Sequence, residues 1–345
     1  MQFLEQVPLA PYTTFQIGGP ARWFARAESE DDIAAGIAFA GEHNLPLFIL
    51  GGGSNLLVSD AGFPGLVLRI ALRGIVESGR CLLSAAAGED WDALVAYAVD
   101  ADCAGVECLS GIPGTVGGTP VQNVGAYGQE VSQTIVTVRA FDRKTGHFVD
   151  LPASACGFSY RRSIFNSTER GRYVVSRVDY ALRKGGAANI VYADLARYFA
   201  ARNVPAPTLA EVREAVRLVR AQKGMLLTPG DADCRSAGSF FKNPVVPVTM
   251  LDALAQQLGI EKASIPAYPA QDGEVKLSAA WLIERAGFPK GYVLGNAGIS
   301  ARHTLALINR GGATAADVIA LRNQLVEAIA SRFGIRLEPE PVWLA

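Results

Sequence analysis

The chain has 345 residues, half of them hydrophobic and 19% charged, with 32 basic against 33 acidic side chains and a formal net charge of -1. This composition is typical of a globular protein of two or three domains and excludes a disordered chain. The balanced charge also argues against a general nucleic-acid surface, since no overall positive field attracts polyanions.

The sequence predicts a cytoplasmic protein without a membrane span. The longest uncharged stretch, 108–129, is interrupted repeatedly by glycine and proline, which a membrane helix does not tolerate. The first basic residue is Arg22 and no long apolar run precedes it, so no secretory signal is expected. The five cysteines form no Cys-x-x-Cys pair and are predicted to be reduced, buried thiols. The three histidines are widely separated and show no metal-binding spacing, so no metal site is predicted.

The first predicted helix covers residues 30–41. Ser29 and Asp32 have the spacing of a capping box, and Gly41 stands where a helix C-cap is expected. A short strand over 47–50 leads into the glycines 51–53, and another strand follows at 56–58. The segment after the glycines is too short for the helix of a Rossmann site, and no Gly-Lys-Ser/Thr follows as in a P-loop.

A second helix is predicted around residues 91–98, before a long glycine-rich loop over 111–128. Loops of that length in a compact domain are usually functional. A hairpin is predicted over 134–149 and a strand region over 173–182. Pro205 and Pro207 indicate a boundary, after which Thr208 and Glu211 open a helix. Two more helices are predicted over 278–286 and 314–333, the latter ending at Gly334.

Two glycine clusters in one domain favour a bound pyrophosphate. Consecutive backbone N–H groups without side chains form an anion-binding nest, and two such loops suit a dinucleotide such as FAD. Taken alone, the cluster at 51–53 is equally well explained as a tight turn.

Several polar residues have both a functional and a simpler interpretation. Arg161 has a planar fork that can clamp a carboxylate, but a solvated surface arginine is the commoner case. Ser239 can donate a proton in a shielded pocket or simply satisfy a turn, and no Gly-x-Ser-x-Gly elbow accompanies it. Arg220 and Lys223, at the end of a predicted helix, suit a phosphate or merely the helix dipole.

Six segments in chain order carry a more specific pattern: 14–19, 51–55, 112–118, 122–128, 160–163 and 238–244. Together they strongly resemble the UDP-N-acetylenolpyruvoylglucosamine reductases, flavoenzymes of bacterial cell-wall precursor synthesis. The resemblance extends from about residue 11 to the C-terminus. It implies an α+β chain with a two-part FAD-binding fold of the vanillyl-alcohol-oxidase type and a C-terminal α+β substrate-binding domain.

The resemblance also implies a reaction. NADPH reduces a non-covalently bound FAD, and the enolpyruvyl sugar nucleotide then occupies the vacated site. Hydride passes from flavin N5 to C3 of the enolpyruvyl group, and C2 is protonated. Arg161 polarises the substrate carboxylate, Ser239 protonates C2 with Lys242 as a candidate neighbour favouring its alkoxide, and Glu340 stabilises the intermediate.

The remaining implied site residues form two groups. The cofactor-binding residues are Gly51, Gly52, Gly53, Ser54, Asn55, Gly111, Ile112, Pro113, Gly114, Thr115, Gly117, Gly118, Asn123, Gly125, Ala126 and Tyr127. The substrate-binding residues are Tyr160, Tyr192, Arg220, Lys223 and Asn243, with Tyr192 in a segment that resembles a mobile tyrosine loop. The family commonly ends with glutamate, valine and a basic residue, whereas Pro341 follows Glu340 here, so Glu338 stays an alternative.

The predicted domains are 1–72 and 73–225 for the two FAD-binding subdomains, with 336–345 returning to the first, and 226–335 for substrate. A monomer acting on a small sugar nucleotide is expected, with no metal, nucleic acid or membrane partner. Two rivals stay open: an oxidase of the same fold that passes electrons to oxygen, and a nucleotide-binding protein that has lost turnover.

Overall fold

The computed structural model of the protein describes residues 1–270 and 272–345. Its helices are α1 (Glu30–Glu42), α2 (Trp91–Asp100), α3 (Ala193–Ala200), α4 (Leu209–Gln222), α5 (Thr249–Leu258), α6 (Ala279–Arg285) and α7 (Ala315–Phe333). Its strands are β1 (Phe3–Pro8), β2 (Pro20–Ala27), β3 (Leu47–Leu50), β4 (Leu56–Val58), β5 (Phe63–Ile70), β6 (Ile75–Glu77), β7 (Leu82–Ala86), β8 (Cys103–Ala104), β9 (Gly125–Ala126), β10 (Gln129–Glu130), β11 (Ile135–Asp142), β12 (His147–Pro152), β13 (Tyr173–Ala181), β14 (Arg183–Lys184), β15 (Val245–Pro247), β16 (Ala267–Pro269), β17 (Glu274–Leu277), β18 (Val293–Leu294), β19 (Ala297–Ile299), β20 (Leu307–Asn309) and β21 (Val342–Leu344).

The chain forms two compact units. Unit 1 comprises Met1–Pro8, Pro20–Gly53 and Phe63–Gln222. Its four-stranded sheet has the order β1-β2-β5-β3, with β1 antiparallel to β2 and with β2 and β3 parallel to β5. A five-stranded antiparallel sheet has the order β12-β11-β13-β7-β6. The α+β class with a mixed sheet, as predicted from the sequence, is confirmed.

Local capping explains where the first helix begins. The Ser29 hydroxyl accepts a hydrogen bond from the Asp32 N–H at 3.1 Å, and the Asp32 carboxylate accepts one from the Ser29 N–H, also at 3.1 Å. This is the predicted capping box. The predicted end was wrong, because Gly41 lies inside the last turn and His43 is the C-cap. The helix buries Ile33 in the core of unit 1.

Unit 2 comprises Leu9–Gly19, Ser54–Gly62 and Lys223–Ala345. It contains two antiparallel three-stranded sheets, β15-β17-β16 and β18-β19-β20, and the parallel pair β21-β4. Helix α7 buries Leu321 and Leu325 in this core and ends at Gly334, whose φ of 68° is the left-handed conformation of a helix C-cap. The predicted end of this helix is confirmed.

Two helices were missed in the sequence. The segment expected to be a tyrosine loop is helical over Ala193–Ala200, with Tyr192 at its N-cap position. Leu195 and Phe199, four residues apart, are buried on one side of it. Helix α5 ends at Gly259 in a left-handed conformation, so a glycine stop signal marks the end of this unpredicted helix.

The cysteine prediction was wrong for two of the five residues. Cys81 and Cys103, both fully buried, form a disulfide with a Cα–Cα distance of 5.6 Å. Their separation of 22 residues carries no recognisable motif, and only the return of the chain from α2 to β8 brings them together. Cys108, Cys156 and Cys234 are free, buried thiols, as predicted.

The three-part division of the chain stays a prediction. The boundary between the two units after Gln222 lies close to the predicted boundary at 225. Strand β21 pairs with β4 inside the 1–72 segment, which is the pairing that a returning C-terminal segment requires. Among the helices of the described residues, none is long and apolar enough to cross a membrane.

Candidate active site

The two glycine clusters of unit 1 lie against each other. A Cβ atom on Gly52 would come within 2.6 Å of the Gly114 Cα, and one on Gly51 within 2.9 Å of the Thr115 Oγ1. A side chain at Gly52 therefore requires the backbone of the second cluster to move. Gly53 and Gly114 have φ of 63° and 130°, conformations that favour glycine. The clusters form one backbone surface that fits the predicted pyrophosphate nest.

Two helices hold the start of the second glycine loop, residues 111–128. Asp92 on α2 accepts a hydrogen bond from the Gly111 N–H at 2.6 Å. Arg220 on α4 donates from Nε to the Gly111 carbonyl oxygen at 3.0 Å. Asp92 in turn binds Arg213, at 2.5 and 3.0 Å, and Arg217. Both backbone groups of the loop's first residue are thus fixed by charged side chains.

The surroundings of Asp92 and Arg220 shift the pKa values of both side chains. Burial alone would raise the pKa of Asp92, but hydrogen bonds from Arg213 and Gly111 and the charges of Arg213 and Arg217 hold that pKa below its ordinary value. Arg220 is only 7% exposed, and burial lowers the pKa of its guanidinium, opposed by a hydrogen bond with Tyr127. Arginine side chains stay protonated in proteins, so Arg220 keeps its charge despite this lowering.

A fully buried carboxylate binds residues that flank the same loop. Glu107 accepts hydrogen bonds from the Gly105 N–H at 2.7 Å, the Gln129 side-chain amide at 2.8 Å and the Asn189 N–H at 2.9 Å. Gln129 accepts in turn from the Cys108 N–H at 2.8 Å. Glu107 was not predicted as a site residue, although a charged residue bordering a long uncharged, glycine-rich stretch is a signal in the sequence.

The middle of the loop combines packing with accessible backbone. Gly117 donates its N–H to the Ala87 carbonyl at 2.9 Å, and a Cβ on it would lie 2.6 Å from the Ala87 Cβ. This glycine therefore allows close packing. Ile112, Pro113, Gly114 and Thr115 are half-buried and Gly118 is exposed, so these predicted cofactor-binding residues lie at the surface of unit 1.

Asn123 connects the second glycine loop to the turn that carries Arg161. Its side-chain amide donates to the Ser159 carbonyl at 3.1 Å. Close by, the Ser163 hydroxyl donates to the Val121 carbonyl at 2.5 Å. The structure thus brings Arg161, predicted to be catalytic, beside the loop predicted to bind the cofactor.

Tyr160 and Arg161 form the tip of a tight turn. The flanking Ser159 and Arg162 exchange backbone hydrogen bonds at 2.9 and 3.0 Å. Arg161 has a φ of 55°, an unfavourable conformation for a residue other than glycine. Tyr160 is 47% exposed and Arg161 half-buried. Backbone strain of this kind clusters at functional sites, where the surroundings hold the residue in place.

Tyr127 links predicted cofactor and substrate residues. It follows Gly125 and Ala126, which form β9, and its ring makes an edge contact with Tyr192 at 5.3 Å between centroids. Tyr127 also hydrogen-bonds Arg220. Tyr192 is 41% exposed and Arg220 is buried, so the structure places the first at the surface and the second behind the loop.

In unit 2, the residues just before β4 contact the C-terminal segment and the segment that carries Thr14. The Asn55 side chain donates to the Glu340 carbonyl at 3.3 Å, and the Asn55 carbonyl accepts from the Val342 N–H at 2.9 Å. The Ser54 carbonyl accepts a long, 3.5 Å hydrogen bond from the Thr14 hydroxyl. Sequence motifs far apart in the chain are therefore neighbours here.

Ser239 lies on a segment fixed by backbone hydrogen bonds on both sides. The next residue, Phe240, donates its N–H to the Leu305 carbonyl at 2.7 Å and accepts from the Glu340 N–H at 2.9 Å. Glu340 is half-buried, whereas Glu338 is exposed and pairs with Lys242 at 2.6 Å. Of the two candidate glutamates, only Glu338 therefore has its carboxylate neutralised by this lysine.

The titratable neighbour of Ser239 is a histidine that the sequence analysis did not single out. The Ser239 Oγ lies 3.5 Å from the His303 Nε2, and both residues are half-buried. Lys242, the neighbour suggested from the sequence, instead forms its ion pair with Glu338. Nothing in the sequence joins residues 239 and 303, because their contact depends on the pairing of Phe240 with Leu305.

Two predicted substrate-binding residues of unit 2 remain. Asn243 accepts a hydrogen bond from the Ala279 N–H at 2.9 Å, at the first residue of α6. Lys223 is half-buried directly after α4. Within residues 1–270 and 272–345, no group of three histidine, cysteine or acidic side chains is placed to hold a metal ion.

Two family models match the chain. An FAD binding domain matches residues 21–152, and the C-terminal domain of UDP-N-acetylenolpyruvoylglucosamine reductase matches residues 229–344. These matches confirm the predicted fold class, an FAD-binding fold joined to a C-terminal α+β domain.

Full-length relatives agree with the models. The chain is 48% identical to the UDP-N-acetylenolpyruvoylglucosamine reductase of Thermobifida fusca, over 99% of this chain and 98% of the relative. It is 47% identical to that of Streptomyces coelicolor, over 99% and 90%. The crystal structure of the reductase from Thermus caldophilus superposes with a TM-score of 0.68 at 26% identity, covering 100% of this chain and 98% of that one.

Proposed function

The chain belongs to the UDP-N-acetylenolpyruvoylglucosamine reductase family, and from this premise we propose how its residues carry out the reaction. The reaction is the NADPH-dependent reduction of UDP-N-acetylglucosamine enolpyruvate to UDP-N-acetylmuramate, a step in peptidoglycan precursor synthesis. The observation that carries the assignment is the near-full-length identity of 48% to a reductase of that name.

FAD is the cofactor, and the residues present fit it. The two glycine loops touch at Gly52 and Gly114 and leave no room there for a Cβ, so backbone from both loops is offered to one pyrophosphate. When bound, FAD accepts a hydride from NADPH and supplies it to the enolpyruvyl group. The residues proposed to hold FAD are Gly51, Gly52, Gly53, Ser54, Asn55, Gly111, Ile112, Pro113, Gly114, Thr115, Gly117, Gly118, Asn123, Gly125, Ala126 and Tyr127.

Arg161 is proposed to polarise the substrate carboxylate. Its guanidinium offers two parallel donors that match two carboxylate oxygens, and charge develops on those oxygens as hydride reaches C3. The strained turn and its ties to Val121 and Asn123 support this role, because they fix the backbone that carries the arginine.

Ser239 is proposed to donate the proton that C2 receives. A serine hydroxyl is a weak acid in water, so the role requires partial burial and a neighbour that stabilises the alkoxide. Ser239 is half-buried and lies beside His303. Substitution of Ser239 by alanine removes the hydroxyl that is proposed to donate this proton.

Glu340 is proposed to stabilise the intermediate, in preference to Glu338. Glu338 is exposed and neutralised by Lys242, whereas the Glu340 backbone is bonded to Asn55 and Phe240. These bonds fix the position of Glu340 next to the residue that follows Ser239.

The substrate is proposed to bind through five residues, which make different protein contacts. Tyr160 and Tyr192 are exposed and suit direct contact with the sugar nucleotide. Lys223 suits a phosphate. Arg220 and Asn243 hydrogen-bond the backbone of Gly111 and Ala279 respectively, so both also have a structural role.

We further propose that the enzyme acts as a monomer in the cytoplasm, with only small-molecule partners. The nearly balanced charge supports the absence of a nucleic-acid partner. Both co-substrates are soluble nucleotides, which supports a cytoplasmic site of action.

The two half-reactions test these roles separately. In the Ser239→Ala holoenzyme, anaerobic NADPH should reduce the flavin at the wild-type rate, while reoxidation by the sugar nucleotide slows by about 10³-fold or more. The matched control is Ser264→Ala, an exposed serine whose hydroxyl bonds only locally to the Glu261 carbonyl. Loss of both half-reactions would contradict the role of Ser239, and peroxide formation dependent on an organic substrate would favour an oxidase.

A further inference from the structure

We propose that His303 is a positioning residue for Ser239: its Nε2–H donates to the Ser239 hydroxyl and replaces the proton that the serine gives to C2. This inference rests on the proposed role of Ser239. It is based on the 3.5 Å approach of the two side-chain atoms, a long contact of the kind that shortens in substrate complexes.

The backbone around His303 is held rigidly toward Ser239. Ser300 is fully buried, and its hydroxyl accepts from the His303 N–H at 3.2 Å while donating to Asp233 at 3.0 Å. The His303 carbonyl accepts from the Ala306 N–H at 3.0 Å. The turn that presents the imidazole is therefore anchored to the segment preceding Ser239.

A second anchor fixes the serine relative to the histidine. Phe240 donates to the Leu305 carbonyl at 2.7 Å, so the residue after Ser239 pairs with a residue two positions beyond His303. Phe240 is 2% exposed, which shields this pairing from water. The short separation of the two side chains thus follows from fixed backbone, independently of either side chain.

The charged groups packed around the pair have partners of their own. On the same turn, Arg302 forms ion pairs with Asp231 and with Asp233, the latter at 2.9 Å. Glu284 on α6 accepts from the Thr304 hydroxyl.

On the serine side, Lys242 pairs with Glu338 at 2.6 Å, and Glu340 lies across from Phe240. The imidazole is thus the titratable group within hydrogen-bonding distance of Ser239 in the contacts described.

The proposed proton transfer needs no reactant besides NADPH, the sugar nucleotide and solvent. NADPH supplies the reducing equivalent through the established activity, leaving an enolate-like intermediate. The Ser239 O–H bond breaks as the C2–H bond forms, and the intermediate's electron pair becomes that bond. At the same time the imidazolium N–H bond breaks and a new O–H bond forms on the serine. Neutral imidazole then takes a proton from solvent.

The test compares two substitutions in the reoxidation half-reaction of the holoenzyme. His303→Ala should slow it about 100-fold, while flavin reduction by NADPH stays unchanged. His303→Gln should slow it almost as much as His303→Ala, because the glutamine amide N–H can donate a hydrogen bond to the serine but cannot give up its proton. The wild-type rate should fall as rising pH removes the imidazolium proton, and His303→Gln should lack that fall.

Controls separate this inference from the role of Ser239. His147→Gln, an exposed histidine of unit 1, should behave as wild type. In the Ser239→Ala background, His303→Ala should cause no further loss, since the histidine acts through the serine. If Ser239→Ala abolishes reoxidation while His303→Ala stays within threefold of wild type, only the role of His303 fails; an unaffected Ser239→Ala enzyme overturns the proposed function of the serine itself.

A readout without turnover is also available, because the chain has only three histidines. Imidazole resonances of His43, His147 and His303 can be assigned by single substitution. In the substrate-free holoenzyme, Ser239→Ala should shift the resonances and the titration midpoint of His303 and leave the other two unchanged. An unchanged His303 signal would overturn the contact.

Discussion

The second glycine loop and the segment that carries Ser239 are built by opposite means. The loop is held by the charged side chains of Asp92 and Arg220, whose hydrogen bonds end on the backbone of Gly111, and the buried Glu107 binds Gln129 just beyond the loop's end. The Ser239 segment is held by backbone pairing with Leu305 and Glu340, and the ion pair beside it is at the surface. The position of the second glycine loop therefore depends on charged side chains packed against it. The position of Ser239 depends instead on the register of main-chain hydrogen bonds.

The largest expected effect tests the serine side of this comparison. Glu340→Gln should slow flavin reoxidation by the sugar nucleotide about 10³-fold, because a glutamine amide cannot share a proton with the enolate-like intermediate as a carboxyl group can. The matched variant Glu338→Gln should stay within about threefold, since exposed ion pairs contribute little. Stopped-flow reoxidation of both holoenzymes measures this. Equal losses in the two variants, or the reverse order, would mean that the C-terminal glutamates have been assigned wrongly.

An intermediate effect tests the contact between the glycine clusters. Gly52→Ala places a Cβ 2.6 Å from the Gly114 Cα, so the loops must separate and FAD affinity should fall about 30-fold, or about 2 kcal/mol. Gly41→Ala is the matched control, because a Cβ there meets nothing within 4 Å, and it should keep FAD. Flavin content after dialysis and titration of the apoprotein measure the difference. Full retention of FAD by Gly52→Ala would show that FAD binding does not depend on the close contact of the two loops.

The smallest expected effect concerns Asp92 and its pH dependence. Asp92→Asn should lower the free energy of unfolding by about 1.5 kcal/mol at pH 7 by removing the partner of Arg213 and Arg217. A lowered carboxyl pKa contributes stability above the unfolded value near 3.8, and this contribution is lost as pH falls through the folded pKa. The difference between wild type and variant should therefore shrink below pH 4.

Denaturant unfolding from pH 7 to pH 2.5 checks this prediction. The control is Asp100→Asn, an exposed residue at the end of the same helix, which should differ little from wild type at any pH. A difference for Asp92→Asn that stays constant down to pH 2.5 would show that the carboxylate charge is not what stabilises the loop.

The sequence predicted the parts of this molecule that depend on local patterns. The capping box at Ser29, the stop at Gly334 and the two glycine clusters follow from backbone requirements of a few neighbouring residues. From the sequence, the two glycine clusters were predicted only to bind one pyrophosphate together. The structure shows that they touch at Gly52 and Gly114.

The missed features depend on distant segments. The Cys81–Cys103 disulfide forms because β8 returns beside the start of β7, and the contact of Ser239 with His303 follows from strand-like pairing over more than 60 residues. Glu107 escaped notice because a buried carboxylate looks like any other acidic residue until its three donors are seen. Spacing along the chain carries none of this information.

The most direct test of the central claim is anaerobic NADPH oxidation by the purified flavoprotein, with and without excess UDP-N-acetylglucosamine enolpyruvate. The account predicts many turnovers only when the sugar nucleotide is present, with UDP-N-acetylmuramate as the product. A single stoichiometric reduction of the flavin that stops whether or not the sugar nucleotide is added would contradict it.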